Sequence, residues 1–181
     1  MTSMARAGAA PERALALHTR VGIQGERGSF SEGALARFPA LVPDPVCFDD
    51  FGSVLAALEA GTIDRALLPV HNSLAGVVAA SLRAIAAYDL RVEAEIDVPV
   101  RLALLGLPGA SLGGLATAAT HPVALAQCSR FFSHHPGVRP VAAHDTAGAA
   151  RLVAERGDPR AAAIASREAR SEEHTSELQS H

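Results

Sequence analysis

The chain has no tryptophan, one tyrosine and six phenylalanines in 181 residues. No interleaving of aromatic with basic residues suggests stacking on nucleic-acid bases. Charge is scarce too: Asp, Glu, Lys and Arg make up 19%, with a net charge of −3 and a pI near 6.2. That balance gives no broad pull toward nucleic acid or an acidic membrane surface. An anionic ligand must therefore be held by local donors. Cys47 and Cys128 lie far apart, with no second Cys or His at metal spacing. They read as free thiols of a reducing compartment, by default cytoplasmic, and not as a disulfide framework or zinc site. His134 and His135 are adjacent, hence on different faces, and the other histidines are scattered, so no metal set emerges. No apolar run approaches the roughly 20 residues that span a bilayer.

What is present is a soluble-type composition, 49% apolar, arranged as strand, loop and helix in repeated order. A short strand, Arg20–Gln24, precedes the glycine-bearing loop Gly25–Gly28 and a helix over Glu32–Phe38. Asp49 and Asp50 suit the N-cap of a helix through Glu59, with Gly61 at its C-terminal end. Arg65–Val70 is a nearly continuous apolar run, as expected of a strand buried on both faces. The loop His71–Gly76 leads into a helix over Val77–Tyr88. Leu90–Val98 alternates with a period of two, placing Val92, Ala94, Ile96 and Val98 on one side of a half-buried or edge strand. Strands over 101–107, 116–120, 138–143 and 161–165 alternate with helices over 123–134 and 146–156. This order predicts an α/β fold with largely parallel strands.

Residues 1–19 carry Arg6 and then Pro11, Glu12 and Arg13, which break any apolar core, so they read as a disordered leader and not a signal peptide. Residues 171–181 turn abruptly polar and resemble a translated sequencing-adapter fragment; an ordinary polar tail is the alternative. They are set aside from fold reasoning.

Four strand-to-helix loops hold the small polar residues, and in open α/β sheets ligands sit where such loops gather. Helix N-termini there offer unpaired N–H groups that favour carboxylates and phosphates. In the first loop, Ser29 and Ser31 offer hydroxyls, although Ser29 and Glu32 also have the spacing of a capping box. It is neither a dinucleotide fingerprint nor a P-loop. The second supplies Asn72 and Ser73, with His71 as its titratable group or as a histidine that only bonds the backbone. In the third, His121 and Pro122 open a helix carrying Gln127 and Cys128, the latter reading as a buried, inert thiol more than a nucleophile. In the fourth, Asp145 and Thr146 are both good caps. The residues alone reach a small-anion receptor and choose no reaction.

Taken in order, the loops resemble the prephenate dehydratase family. Gly25-Glu26-Arg27-Gly28-Ser29-Phe30-Ser31 looks like its opening Gly-Pro-x-Gly-Thr/Ser-Phe/Tyr-Ser, and Pro69-Val70-His71-Asn72-Ser73-x-x-Gly76 looks like its Pro-Ile/Val-Glu-Asn-Ser-x-x-Gly. His121-Pro122-x-Ala124-x-Ala126-Gln127-Cys128 is similar to its His-Pro-x-Ala-x-x-Gln-Cys. Asp145-Thr146-Ala147-x-Ala149-Ala150 and Ala162-Ala163-Ile164-Ala165-Ser166 resemble two later blocks. The resemblance covers about Val21 to Ala169; each block is weak alone, and five in order are specific.

The resemblance implies a two-lobed fold like periplasmic binding proteins of the second type, incomplete at the C-terminus. It places the first lobe at 20–97, with the second lobe and the start of the return to the first at 98–170. It implies decarboxylating dehydration of prephenate to phenylpyruvate on the route to phenylalanine. No metal or organic cofactor is implied, and the full-length parent would be a homodimer. Ser29, Ser31, Asn72, Ser73, Gln127 and Thr146 would contact substrate, while His121 and Cys128 would be structural. Two departures stand out: His71 replaces the family's Glu, and no Thr-Arg-Phe motif with its catalytic Thr follows Ser166. The chain is therefore expected to be truncated, exposed to aggregation or enforced dimerisation, and inactive or weak as a catalyst. A small-carboxylate binding module and an arogenate dehydratase are the competing readings.

Overall fold

The run Arg65–Pro69, read as a strand buried on both faces, is the centre of one sheet. Ala66 and Leu68 turn to one side and Leu67 to the other, all without solvent exposure. The computed structural model describes residues 2–7, 19–38, 43–170 and 175–178. They divide into two units: Met1–Gly25 with Phe30–Pro99, and Glu26–Ser29 with Val100–His181.

The first unit holds strands β1 (Thr2–Ala7), β2 (Thr19–Gln24), β3 (Pro43–Phe48) and β4 (Arg65–Pro69). It adds the two-residue strands β5 (His71–Asn72) and β6 (Gly76–Val77), and β7 (Leu90–Ile96). Its helices are α1 (Phe30–Leu35), α2 (Phe51–Glu59) and α3 (Ala79–Ala86). The sheet runs β3-β2-β4-β1-β7, with β2 parallel to β3 and β4, and β1 antiparallel to β4 and β7. Val21, Ile23 and Leu67 pack with Ala34 and Leu35 of α1. On the other face Val54, Leu55 and Leu58 of α2 pack with Ala66 and Leu68, flanked by Ala84 and Ile85 of α3. Asp50 caps α2 through Ser53 N at 2.9 Å, and Gly61 follows its end with a φ of 68°. That left-handed turn favours glycine.

Three features of this unit differ from expectation. The leader is ordered in its described part: Thr2–Ala7 form β1, and Thr19 opens β2 and is buried. β1 earns its conformation by pairing with β4 and β7 on either side, since Thr-Ser-Met-Ala-Arg-Ala has no alternation that would announce a strand. Residues 8–18 lie outside the described residues. β3 carries Pro43 and Pro45, and it sits at the sheet edge, where a missing N–H is tolerated. Third, Val92 is 48% exposed instead of sharing the buried side with Ala94 and Ile96. Between β1 and β7 the register passes from Met4↔Ala94 to Ala5↔Val92, leaving Glu93 as an extra residue. That bulge resets the side-chain alternation.

The second unit holds β8 (Ala103–Gly106), β9 (Thr117–Thr120), β10 (Arg139–Ala142), β11 (Ala161–Ala165) and β12 (Ser176–Glu177). Its helices are α4 (Pro122–Gln127), α5 (Ser129–His134) and α6 (Thr146–Arg156), with a 3₁₀ turn at Leu112–Gly114. The sheet runs β10-β9-β11-β8-β12, with β9 parallel to β10 and β11, and β8 antiparallel to β11 and β12. Ala149, Ala150 and Val153 of α6 pack on Ala103, Leu105, Ala163 and Ala165. Leu115, Ala118, Val138, Ala162 and Ile164 form the opposite face, covered by Cys128, Phe131 and Phe132. The single helix expected over 123–134 is interrupted at Cys128, whose N–H is shared between Ala124 O and Leu125 O at 3.0 and 3.1 Å. Such sharing marks a tightened turn. The polar end, set aside above, contributes β12 to the sheet, and Leu178 packs over Gly106. Residues 171–174 and 179–181 lie outside the described residues.

Candidate active site

The carboxyl ends of the parallel strands define one rim in each unit. In the first unit, β2, β3 and β4 end at Gln24, Phe48 and Pro69. Gln24 Nε2 donates to Asp49 O at 3.3 Å and Gly25 N to Phe48 O at 2.9 Å, so the first two ends are tied together. Beyond β4, β5 and β6 pair as a small hairpin, His71↔Val77 and Asn72↔Gly76. Asn72 Oδ1 accepts from Leu74 N and Ala75 N, both at 2.9 Å, and Gly76 closes the turn at a φ of 79°. This is an Asx-type turn that commits the Asn72 oxygen to its own loop. Any contact with a ligand then falls to the amide nitrogen, a donor suited to a carboxylate. His71 and Ser73 are exposed on the hairpin, and Ser31 is half-buried in the first turn of α1.

In the second unit, β9, β10 and β11 end at Thr120, Ala142 and Ala165. Thr120 is fully buried and its hydroxyl donates to Ile164 O, locking the two parallel strands together. His121 Nδ1 accepts from Val123 N at 3.3 Å, so this histidine is the N-cap of α4. Asp145 caps α6, its Oδ1 accepting from Gly148 N at 2.7 Å, and Thr146 is the half-buried first residue of that helix. Gln127 closes α4, roughly 7 Å along the axis from Pro122 at 1.5 Å per residue.

Residues 26–29 pack with this second unit. Ser29 is buried immediately before α1, and its N–H donates to Glu26 O at 3.2 Å. Ser166 is buried and donates from Oγ to Gly28 O at 2.6 Å while accepting from Ala169 N at 3.0 Å. Gly28 has a φ of 80°, and a Cβ there would lie 2.7 Å from Ala169 Cα, so only glycine fits. Glu26 accepts a two-pronged bond from Arg151 of α6. Arg151 thereby holds the Glu26 carboxyl below the usual glutamate range, with His144 adding a smaller attraction. A cavity of about 450 Å³ opens here, lined by Glu26, Arg27, Ala147, Ala150, Arg151 and Ala169 among others. The structure thus brings the Ser29 loop against the start of α6 with Thr146, while Gln127 lies at the far end of α4 from Pro122. Sequence reading gave no role to Glu26, Arg151 or Ser166. Glu26 and Arg151 are 125 positions apart, a spacing that carries no local signal.

Burial pushes the Cys128 thiol up, which keeps it protonated and poorly nucleophilic. No group of three or more His, Cys, Asp or Glu could hold a metal among the described residues. No helix among them is long and apolar enough to cross a membrane.

Both sheets are mixed, three parallel strands extended by two that pair antiparallel, and not the largely parallel sheets expected. With helices on both faces and polar loops at the parallel strands' ends, they have the architecture of periplasmic-binding-protein-like folds. A family model described as prephenate dehydratase matches residues 21–180, and the chain belongs to that family. It is 36% identical over 151 residues to arogenate dehydratase/prephenate dehydratase 2, chloroplastic, of Arabidopsis thaliana, covering 83% of this chain and 39% of that protein. It is 34% identical to arogenate dehydratase 2 of Petunia hybrida, covering 81% and 37%. Among solved structures, the prephenate dehydratase of Arthrobacter aurescens in complex with L-Phe superposes with a TM-score of 0.80 at 30% identity. That match covers 88% of this chain and 54% of the other. GqqA, described as a novel type of quorum quenching acylase, matches with a TM-score of 0.76 at 32% identity, covering 88% and 58%. The chain spans less than two fifths of the length of these curated relatives.

Proposed function

We propose that the protein converts prephenate to phenylpyruvate, with arogenate as the alternative substrate. One observation carries the reading. All five sequence blocks that resemble the family fall at, or run directly into, the carboxyl ends of parallel strands: β2, β4, β9, β10 and β11. Family membership and the likeness to a prephenate dehydratase structure support the same reading.

Prephenate carries two carboxylates, and backbone and side-chain donors at the strand ends suit such groups. Within the first unit, Ser31, Asn72 and Ser73 are the candidate carboxylate contacts, with His71 in the same hairpin as the latter two. Within the second unit, Ser29 and Thr146 are the candidates, and Gln127 is the weakest because it stands at the far end of α4 from Pro122. In the reaction the bond from the ring carbon to its carboxylate breaks, and its electron pair enters the ring. The ring C–O bond breaks and the hydroxyl leaves with a proton as water, while the carboxylate leaves as carbon dioxide. A donor near the hydroxyl and a poorly solvated ring carboxylate both lower that barrier.

The test is calorimetric titration of the chain with prephenate and with arogenate, run beside an assay of phenylpyruvate formation. Saturable prephenate binding weakened by Asn72→Ala and Thr146→Ala is expected. No binding of either compound overturns the proposal. Tight binding that Asn72→Ala and Thr146→Ala leave unchanged overturns the site, and saturable binding with no turnover by any form of the protein favours a carboxylate-binding module.

A further inference from the structure

The proposed chemistry leaves Glu26 without a task, yet its carboxylate is one of the most tightly engaged groups in the second unit. Arg151 donates to it from Nε at 2.7 Å and from a terminal nitrogen at 2.9 Å. This fork is directional as well as attractive, because two parallel bonds fix both the distance and the plane of the partners. Arg151 is also restrained by Glu155, four residues along α6, at 2.7 Å. Gly148 leaves the room that Glu26 needs: a Cβ there would stand 3.0 Å from Glu26 Oε1. Three residues on from Glu26, the buried Ser29 returns its N–H to Glu26 O, so a restraint on Glu26 passes through one short turn to Ser29.

We propose that Glu26 and Arg151 form a positioning clamp, holding residues 26–29 on α6 so that Ser29 keeps a fixed place relative to Thr146. The pairing is read from geometry alone; only its purpose, alignment of two contacts for a substrate carboxylate, rests on the function proposed above. Both side chains are partly open to solvent, Arg151 51% and Glu26 37% exposed, so the clamp is sensitive to salt and its effect is a few-fold one.

Amide hydrogen exchange at Ser29 in the full chain tests this. Glu26→Gln and Arg151→Gln are expected to raise it about fivefold, Arg151→Lys by less, since lysine keeps the charge without the fork. Glu155→Gln should raise it less than either Glu26→Gln or Arg151→Gln, since the fork to Glu26 stays in place. In the parent chain the rate should climb with sodium chloride toward that of Glu26→Gln, which should itself be flat. Circular dichroism establishes that each variant is folded. Unchanged exchange in both Gln variants, or an equal rise in Glu155→Gln, overturns the clamp. In parallel, prephenate affinity should fall about fivefold in Glu26→Gln. Faster exchange with unaltered affinity overturns the positioning role. A parent chain that binds no prephenate overturns the function reading, and the exchange data then decide the clamp by themselves.

Discussion

The two units use the same sheet-and-helix plan but fill it differently. The first packs leucine, isoleucine and valine: Ile23, Leu35, Leu55, Leu67 and Leu68 are all fully buried. The second is built on alanine, with Ala118, Ala149, Ala150, Ala162, Ala163 and Ala165 at its centre and Leu105 as its large fully buried residue. Alanine allows helix and sheet to approach closely but removes less apolar surface from water per residue. The first core is therefore vulnerable to holes and the second to excess volume.

The largest expected effect tests the first half of that contrast. Leu67→Ala should destabilise the chain by about 2–5 kcal/mol. Urea unfolding followed by the fluorescence of Tyr88, the single tyrosine, reports on this unit because that ring packs against its core. A loss below about 1 kcal/mol would break the contrast, since a filled core cannot lose a leucine so cheaply. Next, Ala163→Leu in β11 should cost about 1–3 kcal/mol through overpacking, read by circular dichroism during denaturation. A stabilising result would mean that the alanine core holds unfilled space.

Smaller effects sharpen the comparison at the two rims. Asp145→Ala removes the cap of α6 and should cost about 1 kcal/mol in thermal unfolding. The acid limb gives a further contrast. Glu26 titrates below the ordinary glutamate range in the folded chain because of Arg151. Its contribution is therefore fully present above the unfolded glutamate pKa and is lost as pH falls through the lower folded value. Stability in Glu26→Gln should lack that part of the acid dependence. The smallest effect is on reactivity alone: the exposed Cys47 should label with a thiol reagent faster than Cys128, whose thiol burial keeps protonated.

Much of this architecture was legible beforehand. The span Thr146–Arg156 reads as a helix from its cap and apolar spacing, and it is one. The loops holding Ser29, Asn72 and Thr146 were found from small polar residues placed after apolar runs. What could not be read depended on distant partners. β1 exists because two neighbouring strands complete its hydrogen bonds, and β3 hides behind prolines that only an edge position tolerates. Asn72 and Ser73 were given equal standing, yet the turn binds the oxygen of one and leaves the other exposed.

By itself the sequence determined the alternation of strand and helix, because local periodicity decides which faces must be buried. It also determined the family, because five spaced blocks of small polar residues do not recur by composition alone. The tertiary structure decided which of those residues are committed to holding loops in place and which of them face solvent. It alone joined Glu26 to Arg151, since a bond between residues 125 apart is set by how the sheet and helix stack and leaves no pattern along the chain.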